Sequence, residues 1–423
     1  MATKLSTSAK RQKTATPASW PSTDRPLEVA PAGKNHNLVR RVALLIETSR
    51  EYGRGLLRGI SRYCSERGTW SVYLQPRGLD SPPPAWLRRW QGDGILARID
   101  NRQMADAVVE SGMPAIDLRN AIDGMGLPLV GTDSRAVAEM AARHLLDRGF
   151  FHFAYCGYTP GECVGSDNRG DSFQAYLAAH KKPCHFFQPT ERRRRRHPTW
   201  DEEIEQLADW VRELPKSVGV MAVNDDRGLQ VLEACRRIGI VVPEELALVS
   251  VDNDEILCNM ATPSMSSIAL DVEQIGYRAA ALLDHMMSSK SPEVQHVRLP
   301  PLGVISRKSS DITAVADRDV AQAAQWIRQH ACENISVNQV VLQTSLSRRS
   351  LEQRFVKLLG RTLNSEIIRV KLDRVQRLLV ETSLPLSAIA EQAGISSSSY
   401  LSVLFHRKLG LTPAQFRRRH RRF

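Results

Sequence analysis

The chain has 423 residues, 42% hydrophobic and 25% charged, an ordinary globular composition that excludes fibrous, collagen-like and wholly disordered chains. No run approaches the roughly 18 apolar residues of a membrane span. The N-terminus lacks the apolar core of a signal peptide, and the seven cysteines are odd in number and never spaced as Cys-x-x-Cys. Neither a disulfide framework, nor a structural zinc site, nor a cofactor is therefore expected, and a reducing cytoplasm is the expected location. The net charge of +12 is uneven: Arg318 to Phe423 holds 18 Lys and Arg against 7 Asp and Glu, and the residues before it hold 40 against 39. A basic segment so concentrated is the electrostatic footprint of a polyanion partner, most often nucleic acid.

Residues 1–37, without apolar periodicity, read as a disordered basic tail. An alternation of strands and helices then begins. Strands are predicted at 38–47, 70–74, 94–99, 114–118 and 127–132. Between and after them, helices fall at Gly53–Glu66, Arg102–Glu110 and Asp133–Arg148, with a short helical turn at 82–90 and Asp133 as an N-cap. The pattern restarts with strands at 151–157, 218–224 and 247–252 and helices at Arg169–Ala179, Glu203–Leu214, Asp225–Ile238 and Val272–Ser288. Apolar runs alternating with amphipathic helices predict parallel, doubly wound α/β sheets, here as two lobes in tandem over 38–307. The Arg192–Arg196 run falls in a predicted loop and reads as solvated charge.

A polar linker, 308–319, leads to an all-α domain at 320–423 with helices at Val320–Cys332, Val337–Gln343, Arg348–Leu359, Asn364–Glu381, Leu386–Gln392, Ser397–Leu409 and Pro413–Arg419. Two of its segments, 336–360 and 383–410, repeat one pattern. Each has a short helix, a tight turn, and a Ser opening a second helix that carries Leu and Phe four residues apart and ends in Leu-Gly. These are two helix-turn-helix motifs, with Gly394 supplying the second turn and Ser347 and Ser396 as N-caps. The helix between them, about 27 Å long at 1.5 Å per residue, is a strut able to hold two recognition helices near the ~34 Å spacing of successive major grooves. Outward residues on the first recognition helix are Arg348, Arg349, Glu352 and Gln353, suited to guanine, cytosine and adenine edges. On the second they are Ser397, Ser398, Ser399, Ser402, His406 and Arg407, which favour phosphate over base contact.

IAEQAGIS (389–396), YLSVLFHRKLG (400–410) and TPAQFR (412–417) resemble the C-terminal signature of AraC-type transcription factors. Ser345 departs from that signature by replacing the usual Gly of the first turn, which is expected to strain it slightly, and Gln343 stands near a usually small position. The segments GTDSRAVAEMAARHLLDRGFFHFAYCG (131–157), R-x3-F-x2-Y-L (169–177), 218–254 and 263–286 resemble the periplasmic-binding-protein fold of LacI/GalR regulators. The joining of these two parts is characteristic of the xylose operon regulators, a family similar to this chain over nearly its whole length.

Ligands of doubly wound sheets bind beyond the carboxyl ends of the strands. Polar residues at those ends are Glu47, Thr48, Arg50, Asp117, Thr132, Asp133, Asn224, Asp225 and Asp252, with Arg169 starting a helix. Asp, Asn and Arg hold vicinal hydroxyls by paired hydrogen bonds. The resemblance implies that Arg169 and Asp252 bind sugar hydroxyls, with Asn224 and Asp225 beside them. Asp133 reads equally as a helix cap and Glu47 as an exposed edge residue, and Tyr52 and Tyr158 are expected on the rim. The implied function is a sequence-specific transcription regulator controlled by a small sugar, D-xylose first. Its implied partners are an operator in double-stranded DNA, a second copy in a homodimer and, for an activator, RNA polymerase, with no membrane. Another sugar or a nucleoside as effector, and repression, stay open. A sugar-acting enzyme is disfavoured, because no P-loop, GxSxG, HExxH or paired Cys/His pattern occurs.

Overall fold

The computed structural model describes residues 39–67, 70–78, 81–189, 199–288, 295–312 and 317–420. The N-terminal tail and the Arg192–Arg196 run lie outside the described residues. Runs such as Val42–Ile46 and Leu246–Val249 are apolar throughout because helices cover both faces of their sheets. The first sheet joins β1 (Arg40–Leu45), β2 (Trp70–Leu74), β3 (Gly94–Ala97), β4 (Ala115–Asp117), β5 (Leu129–Thr132) and β11 (His296–Leu299), all parallel, in the order β11-β5-β4-β3-β1-β2. The second joins β6 (His152–Cys156), β7 (Cys184–Phe186), β8 (Val218–Ala222), β9 (Leu246–Asp252), β10 (Ser266–Ala269) and β12 (Gly303–Ile305) in the order β12-β10-β9-β8-β6-β7, with only β10 and β12 antiparallel. Both are the doubly wound sheets expected. In each, the strand order reverses beside the first strand, between β1 and β3 and between β6 and β8, which is where such folds bind ligands.

The lobes are interleaved rather than tandem. The helix α3 (Ser134–Leu146) follows β5 of the first sheet but packs on α4 (Val164–Ala179) and on the second sheet. The helix α8 (Val272–Ser288) follows β10 of the second sheet but lies on α1 (Glu51–Arg67) of the first. Two glycines allow that crossing: a Cβ on Gly59 would stand 1.9 Å from the Glu273 carbonyl, and one on Gly276 2.2 Å from that of Leu56. The chain passes between lobes a third time from β11 to β12. Strands β7, β10, β11 and β12, three or four residues each, went unrecognised in the sequence. Helix α4 starts five residues before Arg169, and the expected turn at 82–90 is a single 3-10 turn at Leu87–Arg89. Ser309 and Ser310, assigned to the linker, are buried: Ser309 Oγ donates to the Leu248 carbonyl (2.8 Å) and Ser310 Oγ to Ser266 Oγ (2.8 Å).

The C-terminal helices are α9 (Arg318–His330), α10 (Val337–Val341), α11 (Arg348–Leu359), α12 (Leu363–Glu381), α13 (Leu386–Gln392), α14 (Ser398–Leu409) and α15 (Pro413–His420). They form two small cores bridged by α12. Leu363, Ile367 and Val370 join Leu351 and Phe355, whereas Leu372, Val375 and Leu379 join Ile389, Leu401, Phe405 and Phe416. The second core also takes in Ala269 and Ile305 of the second sheet, so the helical domain is docked on the sensor. Gly394 turns the second motif at φ +63°, with a Cβ position only 2.3 Å from the Cys332 carbonyl, so no other residue fits. The first turn carries no strain at Ser345. That residue is absent from the positive-φ positions, and its amide and hydroxyl donate to Asp319 Oδ1 (2.8 and 2.9 Å).

Candidate functional site

A cleft opens between the lobes where the two strand-order reversals face each other. It is lined by Tyr52, Arg98 and Arg119 from the first lobe and Tyr158, Arg169, Asn224 and Asp252 from the second. Arg98 directly follows β3, Arg119 lies just past β4, and Asn224 caps α6 (Asp225–Ile238) after β8. Asn224 spends its carbonyl on the Arg227 amide (3.0 Å) and donates from Nδ2 to the Tyr158 hydroxyl (2.8 Å), which fixes the ring over the cleft. Asp252 stands at the end of β9 in left-handed backbone, φ 106°. Burial raises its carboxyl to about 6, against the pull of Arg169, Arg98 and Arg119. Arg169 donates to the Val223 carbonyl, while its Nε and that of Arg98 are buried with no hydrogen-bond partner among the described residues. Arg98 is paired to Glu47 and its guanidinium lies 4.9 Å from the Tyr52 ring centroid. Burial lowers its pKa to about 10, still charged at neutral pH. Arg119 pairs with Asp100 at 2.6 Å.

Not every expected residue reaches the cleft. Glu47 is buried rather than an exposed edge residue, and it holds Arg98 from behind. Asp133 caps α3, accepting from the Ala136 amide at 3.0 Å, and does not line the cleft. Asp117 folds back on the Arg119 and Asn120 amides (3.0 and 2.8 Å) and so shapes the loop that presents Arg119. Asp225 touches the cleft edge, but its oxygens are taken by Ser250 Oγ, by Ser267 Oγ (2.7 Å) and by the Asp254 amide (2.7 Å). Burial and the neighbouring Asp252 raise it to about 7. Tyr52 and Tyr158, expected on the rim, line the cleft. Arg98 and Arg119 were missed, although their positions directly after two apolar strands are the signal that marked Asp252.

The lobes also touch across the cleft mouth. Arg50 grips Asp226 with both a 3.1 Å and a 2.9 Å contact, Nε to Oδ2 and Nη2 to Oδ1. The first amides of α4, which Cys163 does not cap, donate to the Ala121 and Asn120 carbonyls of the first lobe at 3.0 and 2.9 Å.

On the helical domain, Ser347 caps α11 as expected, but the cap of α14 is Ser397 rather than Ser396, accepting from the Tyr400 amide (3.1 Å). Ser402 is half-buried and bonded back to the Ser398 carbonyl (2.9 Å). Arg348 is held by Glu352 (2.9 Å) and Asn338 (3.0 Å). Arg349, Gln353, Ser399, His406 and Arg407 are exposed, and Ser398 and Glu352 are half-exposed.

Residues 41–125 match the XylR N-terminal domain, 142–310 the periplasmic binding protein-like domain, and 341–419 a helix-turn-helix domain. The chain is 29% identical over 388 residues to the xylose operon regulatory protein of Escherichia coli (strain K12), covering 89% of this chain and 96% of that protein. It is 29% identical over 383 residues to the protein of the same name from Haemophilus influenzae, covering 89% and 98%. Among solved structures, the xylose-binding transcription activator xylR superposes with a TM-score of 0.59 at 28% identity, over 91% of this chain and 99% of that one. A LacI family regulator from Mycobacterium smegmatis, at TM-score 0.53 and 18% identity over 64% of this chain, shares the sensor fold.

Proposed function

The chain is a homologue of the xylose operon regulatory proteins, a sensor of periplasmic-binding type joined to an AraC-type DNA-binding domain, and on that premise we propose that it is a transcription activator whose effector is D-xylose. The observation that carries this reading is the cleft itself. Arg98, Arg119, Arg169, Asn224 and Asp252 converge between Tyr52 and Tyr158, with buried guanidinium donors that have no hydrogen-bond partner among the described residues. Arginines there are balanced by Asp252, Asp100 and Glu47, which suits an uncharged polyol. Hydroxyl groups accept from the guanidiniums and donate to the carboxylate, and the rings cover the apolar faces of the sugar. Arg349, Gln353, Ser399, His406 and Arg407 face DNA, with the sensor part running through Ser310 and the DNA-binding part beginning with α9 at Arg318.

The protein works in the cytoplasm at the nucleoid as a homodimer, and it recruits RNA polymerase when sugar is bound. Titration calorimetry of the full chain with D-xylose, other pentoses, hexoses and nucleosides tests the effector. Saturable binding of D-xylose above the rest supports it, and preference for a nucleoside or hexose overturns it.

A further inference from the structure

The two recognition helices superimpose in sequence at a constant offset of 50: Leu351 on Leu401, Phe355 on Phe405, Gly360 on Gly410. Those residues set the phase of each helix, since Leu351, Phe355, Leu401 and Phe405 are fully buried. At 3.6 residues per turn, the positions opposite the buried side of α14 are Ser399, Val403 and His406, and their counterparts on α11 are Arg349, Gln353 and Val356. The middle of the outward face of α14 is therefore a valine, 63% exposed, with the 48% exposed Tyr400 beside it. Around them are His406 and Arg407, both exposed. An exposed apolar side chain thus stands at the centre of a polar, outward face, on the helix that a groove-reading motif presents. The major groove offers one apolar group, the C5-methyl of thymine.

We propose that Val403 reads a thymine methyl, so that the two helix-turn-helix units of one protomer recognise chemically different elements. The first unit reads guanine and adenine edges through Arg349 and Gln353. The second takes no base-edge hydrogen bond at its central position and requires instead a thymine, with Ser399 and His406 contacting groups on either side. The inference rests on the DNA-binding reading and specifies its second half-site.

The test uses full-length protein and the duplex it selects from random-sequence DNA in the presence of D-xylose. Each thymine is replaced in turn by deoxyuridine, which deletes only the methyl. One replacement, in the half-site distal to the guanine and adenine element, is expected to weaken wild-type binding about fourfold, the worth of one buried methyl. Val403→Ala should lose a similar factor on thymine DNA and be indifferent to that deoxyuridine. Val403→Gln, which copies the first helix, should lose the methyl effect and prefer adenine at that position. Because Val403 is exposed, both variants should melt with the wild type. Wild-type binding unaffected by every deoxyuridine, or a methyl effect that persists in Val403→Ala, overturns the proposal while leaving DNA binding intact. Failure of the wild type to bind any duplex overturns the underlying reading instead.

Discussion

Arg148 reaches from just beyond the end of α3 to within 3.9 Å of Asp373 on α12, linking a sensor helix to the strut between the two helix-turn-helix units. The guanidinium is buried and also donates to the Ser310 carbonyl (2.7 Å), the His144 carbonyl (3.1 Å) and Ser306 Oγ (3.0 Å). Its Nη1 is 3.0 Å from His144 Nδ1. A guanidinium can only donate, so Nδ1 accepts and the ring is neutral, with Nε2–H left to donate to Ser310 Oγ (2.8 Å). Burial, with Arg148 and Arg369 nearby, pushes His144 well below its ordinary value, in agreement with that tautomer. On the other side Asp373 accepts from Arg369 (2.5 Å), which also holds the fully buried Glu366 (2.7 Å).

The other end of α3 starts beside Thr132 at the cleft, so α3 runs from the cleft toward α12. Asp373→Asn keeps the shape and removes the charge. The Arg148 cation is then left with one counter-ion fewer, and the protein should lose about 1–3 kcal/mol of stability. Sugar affinity should stay within about twofold, while the sugar-dependent gain in DNA affinity, typically about 1–3 kcal/mol for such coupling, should fall by half or more. DNA titrations with and without D-xylose read this directly. An unchanged gain would show that the sensor signals by another route.

The helical domain was the most legible part of the chain because its information is local. Leu351 and Phe355, Leu401 and Phe405, and the glycines after each recognition helix are spaced by helix geometry alone. The strand ends were legible for the same reason and included Asp252, whereas Arg169, inside α4, was marked together with Asp252 by the family resemblance. What sequence could not convey is which oxygen points where. Glu47 and Asp225 stand at strand ends, yet each turns toward an amide, hydroxyl or guanidinium brought in by another segment, whereas Asp117 and Asp133 turn back on amides of their own segments. Arg98 and Arg119 were passed over because a single arginine after a strand reads as a solvated charge unless its carboxylate partner, Glu47 or Asp100, is known. The interleaving of the lobes was hidden in β11 and β12, too short for periodicity, and in the Gly59–Gly276 crossing, whose partners are more than two hundred residues apart.

Arg169 and Asp252 both line the cleft from the second lobe, where the Arg169 cation favours the ionised Asp252 carboxylate. Arg169→Ala and Asp252→Ala should each weaken D-xylose binding by at least tenfold, since removing one partner of a buried polar contact costs about 1–3 kcal/mol and more for a charge. Basal DNA binding should persist. Calorimetry beside melting of the unliganded variants separates the outcomes. Undiminished binding in both moves the sugar site elsewhere, and a large fall in the unliganded melting temperature makes the residues structural.

The carboxyl of Asp252, raised to about 6, gives the cleft a pH dependence of known sign. Sugar hydroxyls donate to the ionised form, so binding should favour ionisation, pull the pKa down and release protons near pH 6. Affinity should rise from pH 5 to pH 7. Without sugar the sign is reversed. A folded-state pKa above the ordinary carboxylate value means that the folded chain holds its proton longer than the unfolded one. This group's contribution to stability therefore falls as pH rises from about 4 to 6. Asp225, raised to about 7, acts in the same direction. Calorimetry at pH 6 in two buffers of different ionisation enthalpy measures the proton release, and Asp252→Asn should abolish it. Equal heats in both buffers for the wild type would exclude Asp252 as the acceptor.

Arg349 is the exposed arginine of the first recognition helix with no protein hydrogen bond or ion pair described, unlike Arg348, which Glu352 and Asn338 restrain. It is free to take a guanine by two hydrogen bonds, and Arg349→Ala should then weaken operator binding by about 1–3 kcal/mol. Random-sequence duplex lacks that guanine in register, so its affinity should change much less. The salt dependence separates this role from phosphate contact. Each phosphate neutralised adds about −0.9 to the slope of log affinity against log salt, so a base-reading arginine leaves the slope unchanged when it is removed. Equal losses on operator and random DNA, with a slope shallower by about one unit, would make Arg349 a phosphate ligand and shift base reading in this motif to Gln353.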